Sequence, residues 1–285
     1  MRRCRRTVEL TLAGERVTLG GRPVLMGIVN VTPDSFSDGG QYVDADRAVA
    51  HALRLVAEGA DWLDVGGEST RPGADPVPED EELRRVLPVI ERLHGQVAVP
   101  ISIDTYKPAV ARRALSAGAR VLNDVTGFRD PAMLAVAADS NAVCVCMHMR
   151  GDPRTMMDLA DYDDVVAELQ AFFAVRLEFL AAAGVDRQRV VLDPGIGFAK
   201  RHRHSLEIFR RLDEFLEHDR PILVGASRKS LIGELTGRPP AHRLPGSVAT
   251  ALAAYMQGAH ILRVHDVAAV RDALAVFEAV CEPDE

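Results

Sequence analysis

Polar side chains recur at the ends of apolar runs along this 285-residue chain. They are Asn30, Asp104, Asn123, Asp124, Asp193, Lys229, Arg263 and His265. Their carboxylate and amide groups can read the hydrogen-bonding edges of a flat heterocycle, and arginine, histidine and lysine can hold a phosphate group. If the fold brings these ends together, the set predicts a binding site for a heterocycle that carries an anionic group.

Several common catalytic patterns are missing from the sequence. It has no Ser-His-Asp arrangement at readable spacing, no His-Glu-x-x-His, no P-loop and no dinucleotide glycine fingerprint. The strand-end residues therefore have to act without an obvious pair of nucleophile and base.

The distribution of lysine supports a special role for these ends. Lys and Arg together number 34, yet the only lysines are Lys107, Lys200 and Lys229, and each follows the end of an apolar run. A compact ammonium on a flexible stem serves differently from a planar guanidinium. We expect Lys229 to have the most intimate role in the site and Lys107 to occupy a less intimate loop position.

Eight short runs, rich in Val and Ile, are predicted to be strands that are buried on both faces. They cover residues 24–30, 62–66, 100–104, 121–124, 142–147, 190–193, 221–225 and 261–264. Segments with helical spacing separate them, among them 45–58, 79–93, 109–117, 163–183, 206–216, 247–257 and 268–280. This alternation predicts an α/β fold, a (β/α)8 TIM barrel with its chemistry in the loops after the strands, and a doubly wound open sheet is the alternative.

The chain is predicted to form one domain over residues 1–285, with the barrel at about 24–281. No linker or low-complexity tract interrupts the alternation. Residues 1–23 form an N-terminal extension with a short hairpin, 8–12 and 16–19, that turns at Gly14. Such a hairpin could plug the bottom of the barrel.

Charge and hydropathy narrow the classes of partner. The net charge of −7 argues against a nucleic-acid or anionic-membrane partner. No apolar run is long enough to span a membrane, and the arginine-rich start lacks the apolar region of a signal peptide. We expect a soluble, cytoplasmic protein.

Two cysteines alternate on one predicted strand. Cys144, Cys146 and His148 could suggest a metal-binding face, but their spacing matches no common zinc pattern. Cys144 and Cys146 are also badly placed to bridge each other, so buried thiols in a reduced core are the favoured interpretation.

Seven segments together closely resemble the dihydropteroate synthases, a family of pterin-binding enzymes. They are residues 27–40, 64–73, 102–105, 123–125, 193–198, 225–230 and 263–266. The resemblance extends from about Val24 to the last predicted helix. It implies a TIM barrel, usually a homodimer, that joins 6-hydroxymethyl-7,8-dihydropterin diphosphate to 4-aminobenzoate with Mg2+, giving 7,8-dihydropteroate and diphosphate.

The resemblance also implies which residues bind each substrate. The pterin would contact Asp104, Asn123, Met147, Asp193, Lys229 and Arg263. The diphosphate would contact Asn30, Arg263 and His265, with Asn30 also binding Mg2+. The 4-aminobenzoate would contact Phe36, Thr70, Arg71, Pro72, Phe198 and Ser230. Asp104, Lys229, Arg263 and His265 are the residues predicted to be catalytic.

The implied mechanism is dissociative substitution, in which loss of diphosphate leaves a delocalised cation at the exocyclic methylene. A neutral arylamine then attacks, which needs no enzyme nucleophile and explains why none is evident. Two other functions stay open: a pterin-dependent methyltransferase, and a non-catalytic or weakly active pterin-binding paralogue. The first loop, the Ser-Arg-Lys-Ser segment at 227–230 and the Arg-x-His pair at 263–265 favour the synthase.

The chain departs from the family's usual pattern after Phe198. Ala199 stands where the family more often has glycine, and the segment 200–204 that follows is unusually cationic.

Overall fold

The structure is a computed structural model that describes residues 6–32, 41–71 and 73–281. Two of the predicted 4-aminobenzoate contacts, Phe36 and Pro72, lie outside the described residues.

The described chain starts with an antiparallel hairpin of β1 (Val8–Leu12) and β2 (Glu15–Leu19). Its turn includes Gly14 at φ 87°, a left-handed conformation that glycine adopts without a steric penalty. The predicted hairpin is confirmed, with its second strand one residue longer than expected.

Eight parallel strands follow, and they form the barrel. They are β3 (Val24–Asn30), β4 (Trp62–Gly66), β5 (Ile101–Asp104), β6 (Val121–Asp124), β7 (Val143–Met147), β8 (Val190–Asp193), β9 (Leu223–Val224) and β10 (Ile261–Val264). Strands β3 to β8 pair in chain order, β3 with β4 through to β7 with β8, and β10 lies between β3 and β9. A parallel bridge between Leu192 and Ile222 closes the ring, so the barrel is confirmed and the open sheet is excluded.

Helices surround the strands. They are α1 (Gln41–Ala57), α2 (Glu79–His94), α3 (Pro108–Ser116), α4 (Pro131–Ala138), α5 (Val165–Ala182), α6 (His202–Arg210), α7 (Ser230–Thr236), α8 (Leu244–Met256) and α9 (Val267–Cys281). Side-chain caps fix some starts: the Asp164 carboxylate accepts from the backbone N–H groups of Val166 and Ala167, both at 3.0 Å. Within the described ranges, no helix is both long and apolar enough to cross a membrane.

One predicted helix, 206–216, is wrong in its extent. Helix α6 ends at Arg210, and a 3-10 helix, Leu212–His218, follows it. The backbone N–H of Glu214 donates to the carbonyl of Arg211 at 3.2 Å, an i to i+3 bond that tightens the turn. Leu212 and Phe215 are three residues apart and both buried, so the tighter turn directs both into the core.

The hairpin packs against the amino-terminal ends of the strands. The cluster that we call the barrel floor contains Leu10, Met26, Trp62, Val121, Val143, Val145, Val191, Leu223 and Ile261. Leu10 is fully buried in it, so the hairpin plugs this end of the barrel as expected.

The two strand cysteines belong to the larger core between the sheet and the helices. Cys144 and Cys146 are free and buried there, and burial raises the pKa of both thiols to about 12. They pack as small apolar side chains, as the sequence indicated.

Candidate active site

Four neighbouring strands, β3 to β6, place residues at or next to their carboxyl ends in one row at the mouth of the barrel. Asn30 pairs with Gly66, Gly66 with Asp104, and Asp104 with Asn123. A Cβ on Gly66 would lie 3.4 Å from the Cβ of Asp104, so these two strand ends are in close contact. The register brings together three of the predicted site residues.

Arg263 forms the centre of a charge network beside this row. Its Nε donates to Asp64 Oδ2 at 2.6 Å and its Nη2 to Asp104 Oδ2 at 2.7 Å. Asn123 Nδ2 also donates to Asp64 Oδ2, at 3.1 Å. Burial opposes the charge of Arg263, but the nearby carboxylates outweigh it and raise its pKa. Asp64 thus fixes both Arg263 and Asn123, and Nη1 of Arg263 has no hydrogen bond to a described residue, which leaves it for a ligand.

Two carboxylate oxygens in this network have no hydrogen-bond partner among the described residues. Asp64 Oδ1 and Asp104 Oδ1 are buried, and no hydrogen bond reaches them within the described part of the chain. Burial raises the pKa of Asp104 to about 7, against the opposing charge of Arg263. Buried acceptors without partners are costly, so they indicate a place where a ligand can donate hydrogen bonds.

Met147 and Asp193 are paired across β7 and β8 on another part of the mouth. Asp193 Oδ1 accepts from the backbone N–H of Gly195 at 2.7 Å, which fixes the carboxylate. Burial raises its pKa, and the charge of Lys229 opposes this.

Lys229 interacts electrostatically with acids in both parts of the mouth, Asp193 and Asp104. Burial lowers its pKa to about 8, while the charge of Asp193 raises it, that of Arg263 lowers it and that of Asp104 raises it. The ammonium donates to the carbonyl of Ile196 and lies 4.6 Å from the centroid of the half-buried Phe198 ring. Lys229 therefore borders both the predicted pterin contacts and an aromatic wall.

His265 follows Arg263 by two residues and is oriented by Ser227. The backbone N–H of His265 donates to Ser227 Oγ at 3.3 Å, and its Nδ1 lies 3.0 Å from the same oxygen. Burial, followed by the charge of Arg263, lowers the pKa of His265 to about 3. The pattern favours a neutral ring that accepts at Nδ1 and keeps its proton on Nε2, where it can donate to an anion.

The remaining predicted contacts lie on loops around the mouth. Thr70 and Arg71 follow β4, and the charge of Arg71 contributes to lowering the pKa of His265. Ser230 is the exposed first residue of α7. Asn30 is half-buried at the end of β3, where its side-chain oxygen could contact a cation.

The sequence interpretation missed two residues of this site, Asp64 and Ser227. Asp64 was detectable, because an acid inside the apolar run 62–66 needs a partner when it is fully buried. Ser227 carried no such signal, since a serine after a strand is common.

Lys107 lies in a loop, as expected, but the sequence did not predict that carboxylates enclose its side chain. Its side chain is 14% exposed and forms ion pairs with Glu68 and Glu82, whose side chains are 5% and 1% exposed. The loop between β5 and α3 brings Lys107 to the buried Glu82 in the first turn of α2, a contact that spacing alone does not reveal.

Lys200, the third lysine, is also buried. Its ammonium lies 2.9 Å from His148 Nδ1 and donates to the Phe198 carbonyl at 2.9 Å, which ties the β8 loop to the end of β7. The preceding Ala199 has φ 51°, a left-handed conformation that accounts for the family's preference for glycine there.

Comparison with known proteins gives a consistent result. A family model described as pterin binding enzyme matches residues 26–265. The dihydropteroate synthase of Escherichia coli K12 is 46% identical over 263 residues, which cover 92% of this chain and 93% of the relative.

Solved structures agree. A Xanthomonas albilineans dihydropteroate synthase with 4-aminobenzoic acid has a TM-score of 0.91 at 51% identity, covering 98% of this chain and 100% of that one. A Yersinia pestis dihydropteroate synthase in a sulfonamide drug complex has a TM-score of 0.90 at 44% identity, covering 95% and 98%.

Proposed function

The chain belongs to the pterin-binding enzymes, among the dihydropteroate synthases, and from this membership we propose how its site performs their reaction. It is a transferase that condenses 6-hydroxymethyl-7,8-dihydropterin diphosphate with 4-aminobenzoate to give 7,8-dihydropteroate. The observation that carries the proposed residue roles is the pair of buried, unpartnered oxygens on Asp64 and Asp104 beside the Arg263 guanidinium.

The acids and Asn123 hold the pterin ring. Its amide-like N–H and amino group lie side by side, and the Asp193 carboxylate accepts from both. Asp104 Oδ1 accepts from a further ring N–H, and Asn123 completes the edge. Asp64 acts indirectly, by holding Asn123 and Arg263 in place, because its Oδ2 accepts a hydrogen bond from each of these side chains. Met147 packs against the ring, and Lys229 donates to the ring carbonyl and N5 side.

Arg263 and His265 stabilise the leaving group. The guanidinium keeps its charge because Asp64 and Asp104 raise its pKa, and its remaining N–H groups donate to the diphosphate. His265 contributes a neutral Nε2–H. As the C–O bond breaks, charge develops on the departing diphosphate, and fixed donors at that position lower the barrier.

Mg2+ fits the oxygen ligands at this position. It is commonly held by one or two protein oxygens together with substrate phosphates and water, and Asn30 supplies an amide oxygen at the end of β3. When bound, it supplies further charge stabilisation for the leaving diphosphate.

The second substrate binds over the first. Phe198 and the stem of Lys229 form one wall, Thr70 and Arg71 approach from the loop after β4, and Ser230 binds the carboxylate. Phe36 and Pro72 complete this pocket in the proposal. A sulfonamide has nearly the same shape as 4-aminobenzoate, so it should compete with this substrate and not with the pterin.

Turnover by the purified protein tests the function. We expect dihydropteroate to form from the two substrates with Mg2+ and to stop when a chelator is in excess. Asn30→Ala should weaken both the metal dependence and the diphosphate affinity. No product under any metal condition would indicate an inactive paralogue, and full activity in chelator would remove Mg2+ from the proposal. The dihydropteroate synthases among the relatives argue against a methyltransferase.

Assembly and location are further parts of the proposal. Two copies would form a homodimer, and Val276 and Val280, four residues apart on α9 and 66% and 78% exposed, offer an apolar face for it. Sedimentation equilibrium would test this state. We also propose a cytoplasmic location, which cell fractionation would test.

A further inference from the structure

The loop after β4, residues 67–78, is closed at its base by one buried carboxylate. We call it the second loop. Glu68, near its start, accepts from the backbone N–H of Val77, near its end, at 3.0 Å through Oε2. The Glu68 side chain is 5% exposed, so this bond is shielded from water. Thr70 and Arg71, proposed to contact 4-aminobenzoate, lie between the two ends.

The same carboxylate is held from the other side by the segment that follows β5. The Tyr106 hydroxyl donates to Glu68 Oε1 at 2.6 Å, and the Lys107 ammonium bonds both Glu68 and Glu82. These four residues form what we call the second-loop anchor. Burial raises the pKa of Glu82, and the hydrogen bond from Lys107 opposes this, so the lysine is needed to keep two carboxylates buried together.

The anchor is physically continuous with the mouth of the barrel. Tyr106 comes two residues after Asp104, which is part of the Arg263 network. The Tyr106 ring also packs against an apolar cluster that includes Met147 and Ala199, and the Phe198 ring packs against the same cluster. A single phenol therefore connects the base of the second loop to the side chains that line both proposed pockets.

We propose that Glu68 and Tyr106 are positioning residues for the second substrate: they fix the second loop so that its contacts meet 4-aminobenzoate, and Lys107 makes their buried arrangement stable. The inference rests on the proposed function, since it assigns a role in binding one of its two substrates. The hydrogen bonds of the anchor run from the Tyr106 hydroxyl and the Val77 N–H to Glu68 and involve none of the proposed pterin contacts, so their loss should affect the two substrates unequally.

The decisive experiment measures the two KM values separately in conservative variants. Tyr106→Phe removes only the hydroxyl, and Glu68→Gln removes the charge while keeping the size of the side chain. Losing one hydrogen bond to a charged group corresponds to about tenfold in binding. We expect each variant to raise KM for 4-aminobenzoate by about fivefold to twentyfold, with KM for the pterin diphosphate nearly unchanged.

Tyr162→Phe is the matched control. Tyr162 is also largely buried, but its hydroxyl has no hydrogen-bond partner among the described residues. Removing that hydroxyl should leave both KM values as they are. A purely structural role for Tyr106 would lower the melting temperature and the active fraction without changing the ratio of the two KM values.

Hydrogen exchange separates this inference from the catalytic proposal, because it needs no turnover. The Val77 amide should exchange faster in Glu68→Gln than in the unchanged protein, while peptides from the β5–β6 part of the barrel keep their protection. An unchanged KM ratio in Tyr106→Phe, or unchanged exchange at residue 77 in Glu68→Gln, would overturn the positioning role. If Glu68→Gln does not fold, exchange in Tyr106→Phe decides instead, with faster exchange of the 67–78 peptide expected.

Discussion

The two ends of the barrel are built from the same strands but contain opposite chemistry. At the floor, β3, β4 and β10 contribute Met26, Trp62 and Ile261, and the hairpin covers them with Leu10. At the mouth, the same strands contribute Asn30, Asp64 and Arg263. One end is sealed by apolar contacts, and the other contains buried carboxylate oxygens that no described residue hydrogen-bonds.

This contrast indicates how the molecule tolerates its site. Burying charged groups and unpaired acceptors destabilises the fold, whereas packing apolar side chains stabilises it. The floor can therefore supply stability that the mouth does not, as is common for TIM barrels, whose chemistry lies at the carboxyl ends of the strands. Substitutions at the floor should change stability, and those at the mouth should change binding.

The largest expected effect is at the floor. Leu10→Ala should lower the free energy of unfolding by about 2–5 kcal/mol, because it removes a fully buried side chain and leaves a cavity. Both KM values of the folded enzyme should stay the same. Leu12→Ala, on the same strand but only partly buried, is the control and should cost less. Denaturant unfolding with parallel kinetics checks this, and a changed KM ratio would break the contrast between the ends.

Asp193→Asn tests the mouth. It replaces an acceptor oxygen with a donor that would face a pterin donor, so pterin binding should weaken by roughly 1–3 kcal/mol. Stability should not fall, since a neutral amide is less costly to bury than a carboxylate. Calorimetric titration measures the affinity, and an unchanged value would remove Asp193 from the site.

Lys229→Arg should lose at least about tenfold in kcat/KM for the pterin diphosphate, which corresponds to about 1.4 kcal/mol. The wider, planar guanidinium cannot fit between the Ile196 carbonyl and the Phe198 ring without intruding on one pocket. The less intimate loop position expected for Lys107 would by itself let Lys107→Arg be tolerated better. Because Lys107 is enclosed by Glu68 and Glu82, we now expect that variant to raise KM for 4-aminobenzoate instead.

Steady-state kinetics with each substrate varied in turn would compare the two lysine variants. Near-native values in both would show that the placement of lysine in this chain is an accident of composition.

The smallest effect concerns pH. Burial lowers the pKa of Lys229 to about 8, so the ammonium is lost from the free site as the pH rises through that value. We expect kcat/KM for the pterin diphosphate to fall above about pH 8, and the Lys229→Arg variant to lack this fall because arginine stays charged. The same lowered pKa means that folding disfavours the charged form. The buried Lys229 ammonium therefore destabilises the fold by its full amount below about pH 8, and this penalty is relieved as the pH rises above that value.

If kcat/KM falls equally with pH in the unchanged protein and in Lys229→Arg, the fall is caused by the titration of another group. That result would also separate the charge of Lys229 from its shape as the reason for the loss in the arginine variant.

The sequence alone determined the repeating architecture and the position of most site residues. Alternation of buried strands and amphipathic helices is a local pattern, and the carboxyl ends of parallel strands must share one face. Asn30, Asp104, Asn123 and Asp193 could therefore be placed at the mouth from their positions in the repeat. The hairpin was predictable because its alternating residues and the glycine at its turn are also a local pattern. The exact end of α6 was not, because a 3-10 turn depends on the core that it packs against.

Only the tertiary structure decided which of these residues are partners. Arg263 and Asp64 are 199 residues apart, and their 2.6 Å contact exists because the register and the closure of the barrel place β10 beside β3, one strand away from β4. The enclosure of Lys107 by Glu68 and Glu82 depends in the same way on how α2 and the β5 loop pack. Residue types and periodicity specify local conformation, whereas these long-range contacts are set by the geometry of the closed sheet.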